Sequence, residues 1–153
     1  IQDLSKKVQD RWPEESKTYD ENYKVSVLKL VQERLKKLDE LPELTWFFFK
    51  NPAVDESLKN LLTAETKIEP EKAKDLLNKS LETVSEVSTF KNEDLHNSFY
   101  ELANSTGSKP GELFKLVRIA LVGGTVAPGL FETMEVLGKE ITVSRLENLI
   151  RSL

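Results

Sequence analysis

Along nearly the whole chain, apolar residues recur three or four positions apart, and no stretch alternates with period two for long enough to require a sheet. The pattern predicts an all-α protein. Ile1, Leu4 and Val8 mark one face of a short opening helix that stops at Pro13, and the polar stretch from Trp12 to Asn22 reads as a loop. Val27, Leu28, Val31, Leu35 and Leu38 form a stripe on a helix from about Asn22 to Leu38, which Leu41-Pro42 ends. Glu43 to Phe49 reads as a short helix carrying four successive aromatic rings, and Asn51-Pro52 closes this part of the chain.

A brief helix around Ser57 to Leu62 opens the second part. A longer one runs from Pro70, suited to a first helical position, to about Val87, with Ala73, Leu76, Leu77, Leu81 and Val84 as its buried face. Asn92 reads as the N-cap of a helix running to Ala103, with Glu93 and Asp94 at its positive end. Pro110 opens the next helix, whose apolar face is Leu113, Leu116, Val117, Ala120 and Leu121, and Gly123-Gly124 supplies its C-cap. Pro128-Gly129 leads into a helix from about Leu130 to Leu137 that Gly138 ends, and Thr142 is expected to cap a last helix bearing Val143, Leu146, Leu149 and Ile150. Two small helical domains, residues 1–52 and 53–153, are therefore expected.

Composition narrows the function. The 153 residues contain no cysteine and one histidine, which excludes disulfides, thiolate metal sites and multi-histidine metal sites. The net charge of -4 argues against indiscriminate nucleic-acid binding, which needs a large positive field, but leaves selective RNA binding open. Residues 1–52 hold 10 basic and 10 acidic side chains, 53–108 hold 6 and 11, and 109–153 hold 6 and 5, so RNA contacts are expected on the flanks. The uncharged run from Ile119 to Phe131 is too short for a membrane span, and no signal peptide is expected. Because the chain starts at Ile1, it is expected to be a fragment of something longer.

Candidate chemistry is sparse. His96 stands near Asp94 and Ser98, but residues two apart on a helix do not face each other, so His96 reads as a structural or surface histidine. The pairs Glu14-Glu15 and Asp55-Glu56 read as solvated or helix-start charges, not magnesium ligands, and no metal site is expected. Gly123, Gly124 and Gly129 lack the spacing and context of a phosphate-binding loop. Trp46-Phe47-Phe48-Phe49 could stack bases, but four successive helical residues span the whole circumference, so packing is expected, with at least one ring turned towards the other domain. Lys109, Lys115 and Arg118 sit around one helix, as a solvated face or as contacts to phosphate.

Lys109 to Glu140, KPGELFKLVRIALVGGTVAPGLFETMEVLGKE, resembles the C-terminal region of bacterial-type glutamyl-tRNA synthetase, a class I aminoacyl-tRNA synthetase. The matching positions are Lys109, Gly111, Leu113-Phe114, Arg118, Ala120-Leu121, Gly123, Pro128-Gly129-Leu130, Leu137 to Glu140, and Arg145-Leu146. Val31 to Phe48 is similar to the helix, Glu-x-Pro turn and aromatic stretch that precede it in the family, so the likeness covers essentially the whole chain. It implies the tRNA-anticodon-binding helical bundles of an enzyme that ligates glutamate to tRNA(Glu) using ATP and Mg. Residues 1–52 would be part of the first bundle and 53–153 the second. The catalytic domain, with its two signature motifs, would lie upstream as a partner, leaving this chain non-catalytic and without a cofactor of its own. The resemblance further implies that Arg34 reads the third anticodon base and that the loop of Thr125, Ala127, Pro128, Gly129 and Leu130 packs against the first. The family often has threonine where Val122 stands and a polar residue where Ala127 stands. The loop is then left with backbone groups and Leu130 for that contact. A monomeric protein of the bacterial cytoplasm, or of an organelle, completes the expectation. Two other readings of the same residues are a stand-alone helical scaffold for another protein and a small hydrolase using His96.

Overall fold

A computed structural model describes residues 2–125 and 127–153, and among them every regular element is helical. Ile1, expected on the opening helix, lies outside the described residues. The chain divides into two compact units, one up to Asn51 and one from Pro52.

The first unit holds α1 (Gln2–Lys7), α2 (Glu21–Val31) and α3 (Leu41–Thr45), with a short 3-10 segment before α2, one before α3 and one after it. Asp20 caps α2 by accepting a 2.8 Å hydrogen bond from the Tyr23 amide, which satisfies one of the free N–H groups of the first turn. Val27, Leu28 and Val31 are fully buried, and α3 packs on α2 with Leu41 inward.

Four expectations fail in this unit, the first being the helix from Glu43 to Phe49: α3 ends at Thr45 and Trp46–Phe48 form a 3-10 turn. α1 stops at Lys7 rather than at Pro13, although Val8 just beyond it is fully buried. α2 stops at Val31 rather than at Leu38: residues 32–37 turn, and Leu38–Glu40 form a 3-10 segment. Periodicity continues through Leu35 and Leu38, but both are only half-buried, because the chain reverses there to bring Leu41 into the core. Pro42 consequently sits in the first turn of α3 instead of ending α2. Finally, the stretch from Trp12 to Asn22 is not merely a polar loop. Glu14–Thr18 form a 3-10 segment, and the rings of Trp12, Tyr19 and Tyr23 surround Phe49 at 5.6, 5.1 and 5.7 Å. The Tyr23 hydroxyl donates to the Phe48 carbonyl at 2.6 Å, tying this cluster to the backbone.

The second unit holds α4 (Glu56–Thr66), α5 (Pro70–Glu86), α6 (Asn92–Thr106), α7 (Pro110–Val122), α8 (Leu130–Leu137) and α9 (Lys139–Ser152). α7 is its central helix and packs against α4, α5, α6 and α9, with Leu113, Leu116, Val117, Ile119 and Leu121 fully buried. A helix apolar on most of its circumference belongs inside, which is why α7 occupies the middle.

Several boundaries differ from expectation. α4 is longer than the brief helix read around Ser57, because Asp55 caps it through the Leu58 amide at 3.0 Å. Ser80 is fully buried on α5 while Leu81 is half-buried. Asn92 is the first residue of α6, not its cap: its amide donates to the Glu135 carboxylate of α8 at 3.1 Å, so a neighbouring helix satisfies the free N–H. α6 continues past Ala103 to Thr106. Thr142 does not cap α9. Gly138, at φ 88° and ψ 162°, breaks α8 from α9 within one residue, so α9 starts at Lys139 and Thr142 lies buried inside it.

Candidate nucleic-acid interface

Arg34 follows from the early end of α2. It lies in the turn after that helix, where its amide donates to the Val31 carbonyl at 2.9 Å, and its side chain is exposed. Lys36 and Lys37 are exposed in the same turn. Arg11 forms an ion pair with Asp39, while no hydrogen bond or ion pair engages the Arg34 guanidinium among the described residues. The sequence placed Arg34 on a helix face. The structure instead presents it on a turn, with its charged head open to solvent.

The four successive rings of the aromatic stretch are packed. Phe47, Phe48 and Phe49 are 3, 1 and 6% exposed, which leaves them no face for stacking a base, and Trp46 is half-buried with its ring edge-on to Phe47 at 5.8 Å.

In the second unit the candidate loop begins where α7 ends. Gly123 takes the left-handed conformation, φ 74° and ψ 15°, and its amide donates to the Ile119 carbonyl at 2.9 Å. Arg145 of α9, 3% exposed, reaches across and donates to the Leu121 carbonyl at 2.7 Å. A guanidinium against the last turn of a helix satisfies a carbonyl that has no partner within the helix and complements the negative end of its dipole. The loop therefore leaves α7 from an anchored stem. Thr125 is exposed, Ala127 and Pro128 are buried, Gly129 is exposed, and Val126 lies outside the described residues. Leu130, read as the side chain left to contact RNA, is only 4% exposed. It turns into the core as the first residue of α8, so among its described residues the loop exposes the Thr125 side chain and the backbone at Gly129.

The three cations assigned to α7 are spread along it. Lys109 is exposed at the N-cap, and Lys115 and Arg118, one turn apart, are half-buried. At 1.5 Å per residue, Lys109 lies about 20 Å along the axis from Gly123, where the loop starts. The loop itself returns towards the middle of α7, since Phe131, one residue past Leu130, has its ring edge-on to Phe114 at 5.1 Å.

His96 is exposed on α6, and no hydrogen bond joins it to Ser98 among the described residues. Its ring instead lies 4.5 Å from Tyr100 and 5.4 Å from Phe131. With Phe114 these side chains form an aromatic cluster that periodicity did not reveal. The His96/Tyr100 spacing of four was visible in the sequence, but the arrival of Phe114 and Phe131 is a tertiary event. On another side of α6, Glu86, Glu101, Thr83, Ser98 and Ser105 help line a groove of about 420 Å³ whose carboxylates disfavour phosphate. Among the described residues no group of three or more metal-ligating side chains occurs, and no helix is long and apolar enough to cross a membrane.

Comparison with known proteins gives this geometry a context. The family model for an anticodon binding domain matches residues 3–150. A glutamate–tRNA ligase of Dehalococcoides mccartyi is 36% identical over 125 residues, covering 82% of this chain and 25% of that protein. One from Herpetosiphon aurantiacus is 36% identical over 119 residues, covering 78% and 23%. In the crystal structure of a glutamate tRNA ligase from Elizabethkingia meningosepticum in complex with its amino acid, a similar region superposes with a TM-score of 0.78 at 27% identity, covering 99% of this chain and 28% of that one. The chain thus spans about a quarter of the length of these relatives. The stand-alone scaffold reading is not favoured by these matches.

Proposed function

Since the chain belongs to the anticodon-binding domain family, we propose that it is the tRNA-reading module of a glutamate–tRNA ligase. In this reading the whole protein joins glutamate to tRNA(Glu) with ATP and Mg in a catalytic domain outside this chain. The module supplies recognition and performs no aminoacylation itself. Residues 1–52 are part of the first anticodon-binding bundle, beside the catalytic domain, and residues 53–153 are the second. The protein acts as a monomer in the bacterial cytoplasm or an organelle.

The observation that carries the reading is the family match along nearly the full chain, joined to the exposure of Arg34 on the α2–α3 turn. Arg34 reads the last anticodon base. Thr125 and the backbone at Gly129 meet the first, where Ala127 offers no hydrogen-bonding side chain and Pro128 and Leu130 hold the loop from within. Lys109, Lys115 and Arg118 contribute attraction to phosphates.

The test is a titration of the chain with the anticodon stem-loop of tRNA(Glu) and with the same stem-loop carrying a scrambled anticodon. The cognate RNA should bind tighter. Equal affinity for both would remove the reading.

A further inference from the structure

Four rings of the second unit close into a circuit. His96 lies 4.5 Å from Tyr100, Tyr100 lies 5.1 Å edge-on to Phe114, Phe114 lies 5.1 Å edge-on to Phe131, and Phe131 lies 5.4 Å edge-on to His96. Phe131 is also held from below by Phe99 at 5.7 Å. The circuit is graded in exposure: Phe131 is buried, Phe114 is half-buried, His96 is exposed, and Tyr100 at 40% is among the few exposed large hydrophobic residues. Ring contacts on two sides hold His96 and Tyr100 while both stay exposed, so part of the usual loss of side-chain freedom on binding is already met in the free protein.

We propose that His96 and Tyr100 form a stacking platform for an unpaired nucleobase of the RNA contacted by the Gly123–Leu130 loop, a reading that rests on the proposed function. Two observations choose a nucleobase over other occupants. The platform is continuous with that loop, because Phe131 follows Gly129 and Leu130 directly and forms one side of the circuit. Asn97 and Asn104, both exposed, flank Tyr100 at three and four residues on its own helix and offer amide donors and acceptors to a base edge. The nearest carboxylates by position are Glu101, next to Tyr100 on α6, Glu93 and Asp94 just before His96, and Glu132 on α8. Aromatic stacking accepts any base, so the platform adds affinity and orientation without choosing the sequence.

The test uses the tRNA(Glu) anticodon stem-loop with fluorescent aminopurine placed at each loop position in turn, titrated with wild type, Tyr100→Phe, Tyr100→Leu and His96→Leu. Thermal unfolding is followed for each, and Tyr100→Leu preserves an apolar contact to Phe114. Wild type and Tyr100→Phe should quench one loop position. Tyr100→Leu should lose that quenching and bind roughly tenfold or more weakly, with His96→Leu between. Tight binding by all four proteins with identical quenching would overturn the platform while leaving the proposed function standing, and would assign the patch to a protein partner. A wild type that does not distinguish this stem-loop from a scrambled one would overturn both.

Discussion

Two arginines show how placement decides what one residue type does. Arg34 is exposed on a turn with five donors and no acceptor. Cytosine offers acceptors at N3 and O2, whereas guanine turns N1–H and N2–H donors towards it, so Arg34 should favour anticodons ending in C, those of glutamate, over those ending in G, those of glutamine. The expected preference is about 1–3 kcal/mol. Arg34→Gln should relax it with little effect on stability, about 0.5 kcal/mol or less. Titrating wild type and variant with stem-loops ending in C and in G checks this, and equal discrimination by both would take Arg34 out of the reading role. Arg145 is the opposite case: it is 3% exposed and bonded to the Leu121 carbonyl. Arg145→Ala should leave a cavity and an unpaired carbonyl, costing about 2–4 kcal/mol in chemical denaturation. A cost under about 0.5 kcal/mol would show that water replaces the guanidinium there.

The elements differ in how strongly local chemistry dictates them. Gly138 and Gly123 both end helices, but in different backbone regions: φ 74°, ψ 15° at Gly123 and φ 88°, ψ 162° at Gly138. The first is the left-handed region that other residues enter at moderate cost, and the second is almost reserved for glycine. Gly123→Ala should cost about 1 kcal/mol and Gly138→Ala about 2–3 kcal/mol. Since a Cβ at Gly138 meets nothing within 4 Å, that cost is conformational rather than steric. Urea midpoints of the two variants give the order, and a reversed order would contradict it. The same contrast explains what the sequence disclosed. α7 and α8 were legible end to end, because Pro110, Gly123, Gly129 and Gly138 act locally. The end of α2 was not, because nothing between Gln32 and Leu38 forbids helix and only the burial of Leu41 turns the chain. Thr142 misled for a related reason: it is a good capping residue, but Gly138 had already started the helix. Within the candidate site the loop was legible from Pro128-Gly129. The inward turn of Leu130, the burial of Arg145 and the circuit around Tyr100 depend on residues far away in sequence and leave no local mark.

For the molecule as a whole, a net charge of -4 means that attraction to RNA has to be local. If Lys109, Lys115 and Arg118 each meet a phosphate, neutralising one should flatten the plot of log affinity against log salt by about one unit or slightly less. An unchanged slope in all three variants would place them on a solvated face. The groove bearing Glu86 and Glu101 extends this argument from equilibrium to time. On α6, Glu101 stands roughly a third of a turn from Tyr100, so the exposed aromatic pair has beside it a stripe that repels polyanions. If the proposed platform meets RNA, one approaching on the acidic side should be repelled before contact, and one approaching on the aromatic side should not. The carboxylates then act as a rudder: they set how quickly an encounter finds its orientation and leave the lifetime of the bound state alone. Stopped-flow mixing at low salt should therefore show the doubly neutralised variant, Glu86→Gln with Glu101→Gln, differing from wild type in its association rate constant. Its dissociation rate constant should be the same, and the difference should fade as added salt shortens the reach of the field.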